Sequence, residues 1–465
     1  MDSQHILYLQ TGLVLAASYA VYWCLKPKPI GNIPHNRLTW LLGDLPAIIK
    51  SVDSGVGLGH WLTEQAFIHG PVMTIHTGPS FPQVIVSDPA TVLEILSKRG
   101  DELGFSEHSR TIFGTTVPYG MIGIPANEMW HSHRRALSPC VNTQYLKTCS
   151  PRIYEVCKKF VALWEAKQQL LPPGSCFNCT EDVQLLTMDN IASFCFGEAF
   201  GGVSRAHAAL SSISISKDYN ANTKVLKFPS PDVPLHNAVR VLFNGQDTTS
   251  SALQWGLKLL SHNPDVQRKL RSHIQERGLS GLDDITFEDV RAENVPYLEA
   301  VVWEILRLAQ VGLFAGRMAT RDTQILGYHI PKGTELVLCT GHVGIHDTPE
   351  RFLAKGKESP SSNQSRWKED EKAFVPERWL DEKGRFQPNN TVIPFGAGNR
   401  MCFGYRFALL QMKLVLVALQ QQFYFEPPPS PELDLWHVKE TIIRMPVYNY
   451  ITIRSWSSVE DQETA

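Results

Sequence analysis

The loop sequence "PFGAGNRMCFG" at residues 394–404 concentrates three glycines, one arginine and a single cysteine within eleven positions. A dinucleotide-binding loop requires a third glycine where this chain has Met401, so that pattern fails. A nucleophilic cysteine usually has a histidine as its base, and none lies near in sequence, which leaves a more distant base open. The third interpretation is a loop that presents one cysteine as a metal ligand.

The position of Cys402 suits a thiolate that binds a metal. Glycines allow backbone N–H groups to turn toward one sulfur atom, and such donors stabilise a thiolate. A long helix is predicted directly after the loop, over residues 405–424, and its N-terminus also favours negative charge on the sulfur. One cysteine cannot hold an iron–sulfur cluster, but one thiolate is sufficient as the axial ligand of a haem.

Composition excludes several other classes of protein. The chain has 465 residues and a formal net charge of −2 at pH 7, so no basic field indicates nucleic-acid binding. Its nine cysteines are scattered along the chain, which favours reduced thiols over a disulfide framework. Cys176 and Cys179 form one C-x-x-C pair without a second pair at zinc spacing, so a zinc site is not expected.

The N-terminus contains an uncharged run of twenty residues, Ile6 to Leu25, which is long enough for a transmembrane helix. The alternative is a cleaved signal peptide, but no positive region precedes the run and the run continues past the candidate cleavage site "SYA". Lys26 and Lys28 follow directly, so the positive-inside rule predicts that the rest of the chain lies in the cytosol. The following prolines predict a stiff linker over residues 26–35.

Hydrophobic periodicity predicts a mainly α chain with small β-sheets, an α+β class without regular βαβ alternation. Two strands and a helix start capped by Ser87 or Asp88 are expected within residues 71–95, and a hairpin with its turn at "PKG" within residues 317–340. Residues 353–372 are polar and predict a surface loop. Further helices are expected over residues 145–170, 181–197, 293–310, and 248–274 with an interruption near "HNPD".

The loop at residues 394–404 resembles the haem-loop signature of the cytochrome P450 family. The resemblance implies haem b as cofactor, Cys402 as the proximal iron ligand and Arg400 as a partner of a haem propionate. It also implies the cytochrome P450 fold, preceded here by the N-terminal transmembrane helix. The matching residues are Phe395, Gly398, Arg400, Cys402 and Gly404.

The resemblance divides the chain into three parts. Residues 1–25 are the expected anchor, residues 26–35 the linker, and residues 36–465 the haem-thiolate catalytic domain, which is shortened between about 200 and 245. The resemblance extends from the anchor to about residue 455.

Further residues outside the loop agree with this family. Glu304 and Arg307 are spaced i,i+3, so on a helix they lie on one face and can pair. A surface ion pair is the alternative, but the resemblance implies that Arg378 joins them in a buried triad supporting the haem loop. The resemblance also implies that three more residues lie near the haem propionates: Trp130, Arg134 and Arg317.

The segment "NGQDTTSS" at residues 244–251 resembles the family's oxygen-activation segment. There Asp247 and Thr248 would relay protons to bound dioxygen, and Gly245 would leave room for O₂. A carboxylate beside a hydroxyl suits such a proton relay. The alternative from the local pattern is a helix N-cap, because Asp, Thr and Ser are preferred cap residues.

The chain departs from the family in the region before this segment. Two helices that roof the substrate pocket are expected there, and they require on the order of 50 residues that are missing. Pro229, Pro231 and Pro234 bar a helix upstream of about Leu235, which leaves only "LHNAVRVLF" before Asn244. We therefore expect a truncated or mis-joined segment directly before "NGQDTT".

The sequence as a whole predicts a haem-thiolate monooxygenase of fungal or other eukaryotic type. By resemblance it would insert one oxygen atom from O₂ into an apolar small molecule, with electrons from a partner NADPH-dependent cytochrome reductase. It would lie in the endoplasmic reticulum membrane as a single-pass protein with a cytosolic catalytic domain. The alternative is a haem-binding protein that is turnover-deficient or uncoupled, because the distal roof is missing. A haem-thiolate isomerase or dehydratase is a third option, but such enzymes typically lack the acid–alcohol pair.

Overall fold

The computed structural model describes residues 3–39, 41–78, 82–115, 118–213, 215–228, 244–279, 284–341, 373–388 and 392–464. Helices dominate these residues, as the periodicity predicts. The helices are α1 Ser3–Leu25, α2 Leu45–Asp53, α3 Leu58–His69, α4 Pro89–Lys98, α5 Glu107–Gly114, α6 Glu128–Leu137, α7 Thr143–Leu170, α8 Thr180–Phe196, α9 Gly202–Ala209, α10 Ile215–Asp218, α11 Asn244–Ser261, α12 Pro264–Glu276, α13 Pro296–Ala309, α14 Tyr405–Gln422 and α15 Trp456–Thr464.

The strands are short and form small sheets. They are β1 Val72–His76, β2 Pro82–Val86, β3 Leu103–Phe105, β4 Phe177–Asn178, β5 Tyr219–Asn220, β6 Val225–Leu226, β7 Phe314–Ala319, β8 Thr323–Ile325, β9 Tyr328–Ile330, β10 Glu335–Cys339, β11 Phe423–Glu426, β12 Val438–Glu440, β13 Arg444–Pro446 and β14 Tyr450–Ser455.

The first of two compact units comprises residues 1–118, 123–125 and 314–361. Its main sheet has the order β1-β2-β10-β7-β3, and only the β2–β10 pair is parallel in the described part. Apolar side chains of α3 and the sheet pack together, including Leu62, Met73 and Ile85. The helix α4 begins where expected, because the Asp88 carboxylate accepts the Thr91 N–H at 2.8 Å.

The second unit comprises residues 119–122, 126–313 and 362–465 and contains the larger core. The helices α7, α8, α11, α13 and α14 bury their apolar faces against one another. Two contacts bring helices close together: the rings of Phe194 on α8 and Phe407 on α14 stack at 4.1 Å, and Gly256 on α11 packs against Ile305 on α13. These helices carry most of the residues that the sequence singles out.

The helix predictions are confirmed with small changes at the boundaries. The interruption expected near "HNPD" is confirmed, because α11 ends at Ser261 and α12 begins at Pro264, but α11 begins at Asn244, earlier than expected. The hairpin expected within 317–340 is different in detail. Its tip lies at Leu326 and Gly327, both with positive φ, between β8 and β9, whereas "PKG" connects β9 to β10.

No described helix is both long enough and apolar enough to cross a bilayer. The transmembrane assignment of residues 1–25 is therefore not supported by the structure, although α1 itself is a helix. Two other predictions lie outside the described residues. They are the surface loop at 353–372, of which none is described, and the prolines and "LHNAVRVLF" at 229–243.

Candidate active site

The loop before α14 is a tight turn that depends on two glycines. Gly396 and Gly398 both have φ of 68°, a left-handed conformation that favours glycine. The Cys402 N–H donates to the Phe395 carbonyl at 2.8 Å, and the Met401 N–H donates to the Gly398 carbonyl at 3.0 Å. These bonds fold the loop back on itself and present the Cys402 side chain just ahead of the helix.

The Cys402 side chain is exposed to solvent in the protein alone. Burial of the part beside the loop raises the pKa of the thiol, while the Gly404 N–H and the charge of Arg134 lower the pKa by less. The Gly404 N–H and Arg134 thus offset only part of the effect of burial. A bound metal cation would supply the missing stabilisation, because a coordinating thiol is deprotonated outright.

Two guanidinium groups lie on the buried ring of Trp130, which is 3% exposed. The Arg134 carbon Cζ lies 4.9 Å and the Arg400 Cζ 5.4 Å from the ring centroid. The Met121 carbonyl accepts hydrogen bonds from Trp130 Nε1 at 3.2 Å and from Arg400 Nη2 at 3.1 Å. Arg134 donates to the Met401 carbonyl at 3.3 Å. The structure thus brings Trp130, Arg134 and Arg400 together beside the Cys402 loop.

Glu304, Arg307 and Arg378 are in direct contact. The Glu304 carboxylate accepts two bonds from Arg307, at 2.8 and 2.7 Å, and one from Arg378 Nε at 3.0 Å. The side chains of Glu304 and Arg307 are 0% exposed and that of Arg378 is 2% exposed. The simple surface ion pair is therefore excluded for this motif.

Sequence reasoning missed two further donors to Glu304. The Trp379 indole N–H donates to Glu304 Oε2 at 2.8 Å, and the Val375 backbone N–H donates to Oε1 at 3.0 Å. The carboxylate thus joins α13 to the segment 373–379. We call Glu304 and its four donor residues the Glu304 cluster.

Aromatic rings connect this cluster to the Cys402 loop. Trp303, next to Glu304 on α13, lies 5.6 Å from the Trp379 ring and 6.4 Å from the Phe395 ring, centroid to centroid. Phe395 is the residue whose carbonyl accepts the Cys402 N–H. No sequence motif marked Trp303, because the Trp379 and Phe395 rings belong to segments far away in the chain.

Asp247 and Thr248 lie inside the first two turns of α11. The Thr248 hydroxyl donates to the Gly245 carbonyl of its own helix at 3.1 Å. A Cβ at Gly245 would lie 3.3 Å from Ile191 Cδ1 of α8. The glycine therefore permits close helix packing as well, and its expected role in leaving room for O₂ stays a prediction.

Arg317 lies on β7 in the first unit. Its guanidinium donates to the Gly316 carbonyl at 2.8 Å, and burial lowers its pKa to about 10. Its expected contact with a haem propionate stays a prediction.

The residues of the second unit fit a haem in three respects. The loop offers one accessible thiol, and the two guanidinium groups on Trp130 can bind carboxylates such as propionates. A Cβ at Gly404 would meet no protein atom within 4 Å, and its φ is −88°, so a group packed against the backbone explains the glycine. Within the described residues, no group of three or more His, Cys, Asp or Glu side chains could hold a metal ion, including at Cys176 and Cys179.

Comparison with known proteins agrees with this geometry. The family model described as "Cytochrome P450" matches residues 38–238, 230–355 and 359–451. The cytochrome P450 monooxygenase TRI13 of Fusarium sporotrichioides is 25% identical over 593 aligned positions, which cover 96% of this chain and 99% of the relative. The cytochrome P450 monooxygenase xilC of Penicillium crustosum is 26% identical over 528 positions, covering 90% and 91%.

A shorter match reaches animal proteins. Cytochrome P450 4V2 of Rattus norvegicus is 33% identical over 186 positions, covering 40% of this chain and 31% of the relative. Both fungal alignments are longer than the 465 residues of this chain, so those relatives contain stretches without a counterpart here. The matched segments nevertheless account for most of the sequence, and the chain belongs to the cytochrome P450 family.

Proposed function

We propose that this chain is a haem-thiolate monooxygenase that inserts one oxygen atom from O₂ into an apolar small molecule. The observation that carries the proposal is the accessible Cys402 thiol, set in a glycine-rich turn beside two guanidinium groups. Haem b is the cofactor that this donor set fits, and Cys402 would bind its iron. When bound, it supplies the activation of dioxygen at its iron.

The residues around Cys402 would bind the haem and hold the Cys402 loop in position. Arg134 and Arg400 would each bind a propionate, and Trp130 holds both guanidinium groups in place through its ring. Glu304 fixes the segment 373–379 through its buried bonds. Trp303 transmits this support to Phe395 and so keeps the Cys402 loop in one conformation.

Asp247 and Thr248 would deliver protons on the distal side. The Thr248 hydroxyl now bonds to the Gly245 carbonyl, and rotation about its side chain would free that proton for transfer. A carboxylate one residue away can then return a proton to the hydroxyl. The presence of this pair favours oxygen activation over an isomerase or dehydratase activity.

The electrons would come from a partner protein. The glycine-rich loop lacks the third glycine of a dinucleotide site, and no other nucleotide-binding motif occurs in the sequence. An NADPH-dependent cytochrome reductase is therefore the proposed partner. His131, His133 and Arg135 of α6 are candidate docking cations, but Arg135 already pairs with Glu128 at 3.0 Å.

The decisive test is the absorption spectrum of the reduced, carbon-monoxide-bound chain. The wild-type chain should give the Soret band of a thiolate-ligated haem, and Cys402→Ser should lose it. Cys24→Ser, which removes another exposed thiol, should keep it. A Cys402→Ser variant with an unchanged spectrum would refute the assignment of the ligand.

A second candidate function is haem binding without productive turnover. The family matches 38–238 and 230–355 meet around residues 230–238, next to the segment where the sequence predicts missing roof helices. The length of the TRI13 alignment agrees with missing material. An open distal side admits water, and water promotes proton leakage and loss of reduced oxygen species.

Two measurements separate the candidates. A transcript read across residues 235–250 tests the mis-joined segment, because a contiguous message there would exclude a gene-model error. Reductase, NADPH and a panel of apolar compounds test turnover. NADPH consumption that yields peroxide without any oxygenated product favours the uncoupled protein, whereas a stoichiometric product favours the monooxygenase.

We also propose attachment to the endoplasmic reticulum membrane through α1, with the catalytic domain in the cytosol. The support is the uncharged sequence Ile6–Leu25 and the exposure of apolar side chains on this helix, such as Leu13 at 70% and Leu15 at 65%. Fractionation of cells that express the full chain, or the chain without residues 1–25, tests this location. Equal distribution of both chains between membrane and supernatant would contradict it.

A further inference from the structure

Two exposed cysteines lie outside the candidate active site on neighbouring elements of the second unit. Cys140 belongs to the 3₁₀ turn Ser138–Val141, directly before α7. Cys195 belongs to the last turn of α8. The cysteines in the core, such as Cys149 and Cys157, are buried, so these two thiols differ from them in their access to solvent.

Helix α7, which follows the turn that contains Cys140, is tied to the end of α8 that contains Cys195. The Tyr145 hydroxyl, in the first turn of α7, donates to the Phe194 carbonyl at 2.6 Å. The rings of Tyr145 and Phe194 also meet edge-to-face at 5.4 Å. Phe194 directly precedes Cys195, so this double contact fixes the end of α8 beside the chain that leads from Cys140.

The two thiols also interact electrostatically. Burial of part of its side chain raises the pKa of the Cys195 thiol, and the negative charge of a Cys140 thiolate raises it further. Both sulfur atoms also act on the pKa of the Tyr145 hydroxyl, which burial raises. The three groups therefore lie within interaction range of one another.

We propose that Cys140 and Cys195 form a peroxide-reactive thiol pair that closes reversibly as a disulfide. Reactive cysteines of this kind are accessible and stand next to a second, resolving cysteine. In a reducing compartment a disulfide between such thiols is transient rather than structural. The geometry thus assigns to this surface a modification site that the haem chemistry does not use.

The reaction balances with hydrogen peroxide as the oxidant. The Cys140 thiolate attacks one peroxide oxygen, the O–O bond breaks, and the leaving hydroxide takes up the proton that the thiol had released, so that Cys140 sulfenic acid and one water form. The Cys195 sulfur then attacks the sulfenic sulfur, the S–S bond forms, and the oxygen leaves as a second water. The Cys195 proton leaves with that water, and because the raised pKa lowers the fraction of Cys195 thiolate, this step should become faster as the pH rises.

The thiol pair is connected to the helix after the Cys402 loop through Phe194. The Phe194 ring stacks on Phe407 at 4.1 Å, and Phe407 lies in the helix that directly follows the Cys402 loop. A bond between Cys140 and Cys195 would fix the end of α8 and with it this ring stack. If the protein is uncoupled and releases peroxide, that peroxide would thus modify α8, which packs against the helix that follows the Cys402 loop. This source of peroxide rests on the proposed function, but the reaction of the pair does not.

The test is peptide mapping of the full, haem-containing chain after treatment with hydrogen peroxide. Remaining thiols are blocked with N-ethylmaleimide, and the chain is digested without reduction. We expect a linked peptide pair that contains Cys140 and Cys195, two hydrogen atoms lighter than the reduced pair, and its loss on adding dithiothreitol. Cys195→Ser should instead leave a sulfenic acid on Cys140, which dimedone traps.

Cys24→Ser is the matched control, since it removes an exposed thiol of the first unit and should leave the linked peptide unchanged. Full N-ethylmaleimide labelling of both cysteines after peroxide would overturn the proposal, as would linkage of Cys140 to Cys24 or Cys402. Because the peroxide is added directly, the result is independent of turnover. A chain without monooxygenase activity can therefore still confirm the thiol pair.

Discussion

The Glu304 cluster and the beginning of α11 belong to the same unit but are built differently. The Glu304 carboxylate is 0% exposed and accepts five hydrogen bonds, three of them from the segment 375–379. At the beginning of α11, Gly245 is exposed and the Thr248 hydroxyl bonds to its own helix. Distant segments supply most of the bonds to the Glu304 carboxylate, whereas the bond of the Thr248 hydroxyl stays within its own helix. We therefore expect substitutions in the Glu304 cluster to change stability, and substitutions at the beginning of α11 to change the oxygen chemistry.

The largest expected effect comes from Glu304→Gln. The substitution removes a negative charge and leaves two buried guanidinium groups without it, which costs about 3–5 kcal/mol of the free energy of unfolding. Denaturant unfolding of both chains measures this difference. Glu128→Gln is the control, because Glu128 pairs with Arg135 on the surface and its loss should stay within experimental error. Equal effects of the two substitutions would contradict the expected difference between the buried Glu304 and the exposed Glu128.

Trp379→Phe should have the next largest effect. The ring still packs against Phe386 and Trp303, but the bond from the indole N–H to the Glu304 carboxylate is lost. A hydrogen bond to a charged group contributes about 1.5–3 kcal/mol.

Trp456→Phe provides the comparison for this change. The indole N–H of Trp456 donates at 2.8 Å to a neutral acceptor, the Gln420 carbonyl. We expect a loss of about 1 kcal/mol there. A larger loss for Trp456→Phe than for Trp379→Phe in the same unfolding measurement would argue against a charged Glu304.

Gly256→Ala tests how tightly α11 packs against α13. A Cβ at Gly256 would lie 2.9 Å from Ile305 Cδ1, so we expect overpacking to outweigh the gain in helix propensity by about 1 kcal/mol. Adding Ile305→Val removes the clashing methyl group and should restore stability. Gly245→Ala meets Ile191 at 3.3 Å and should be near neutral. An additive double variant would show that the contact with Ile305 is not the cause.

The smallest effect on stability is expected for Thr248→Val, with Thr249→Val as its matched control. Both hydroxyls donate to the Gly245 carbonyl at 3.1 Å, so each loss should cost about 1 kcal/mol or less. Only Thr248→Val should increase the peroxide released per NADPH consumed. An increase of the same size for both variants would remove Thr248 from the proton relay. If the wild-type chain already releases much peroxide per NADPH and neither substitution changes that amount, the result would favour the turnover-deficient protein.

The sequence predicts what local pattern and motif can encode. The helix Thr143–Leu170 follows from its regular apolar spacing, and the Asp88 cap from an acidic residue before Pro89. The pairing of Glu304 with Arg307 likewise follows from their spacing on one helix.

The rest of the site depends on contacts that no local pattern contains. The Met121 carbonyl receives two donors, and Trp379 donates to a carboxylate 75 positions earlier in the chain. Leu326 adopts a positive φ at the hairpin tip, although leucine is not a residue type that indicates a turn. The sequence therefore favours "PKG" as the turn. Such features are set by tertiary packing, which overrides residue preference.

The Glu304 cluster also has a consequence for the order of events during translation. Glu304 and Arg307 cannot be buried with their partners until the ribosome has released the segment 373–379. At about 5–20 residues per second, this segment follows Glu304 by roughly 4–15 s. Helices α11 and α12 are already available in that interval to cover part of the apolar face of Pro296–Ala309. The charges of Glu304 and Arg307 must wait, so the nascent chain has a defined period in which these two groups lack the partners that complete their burial.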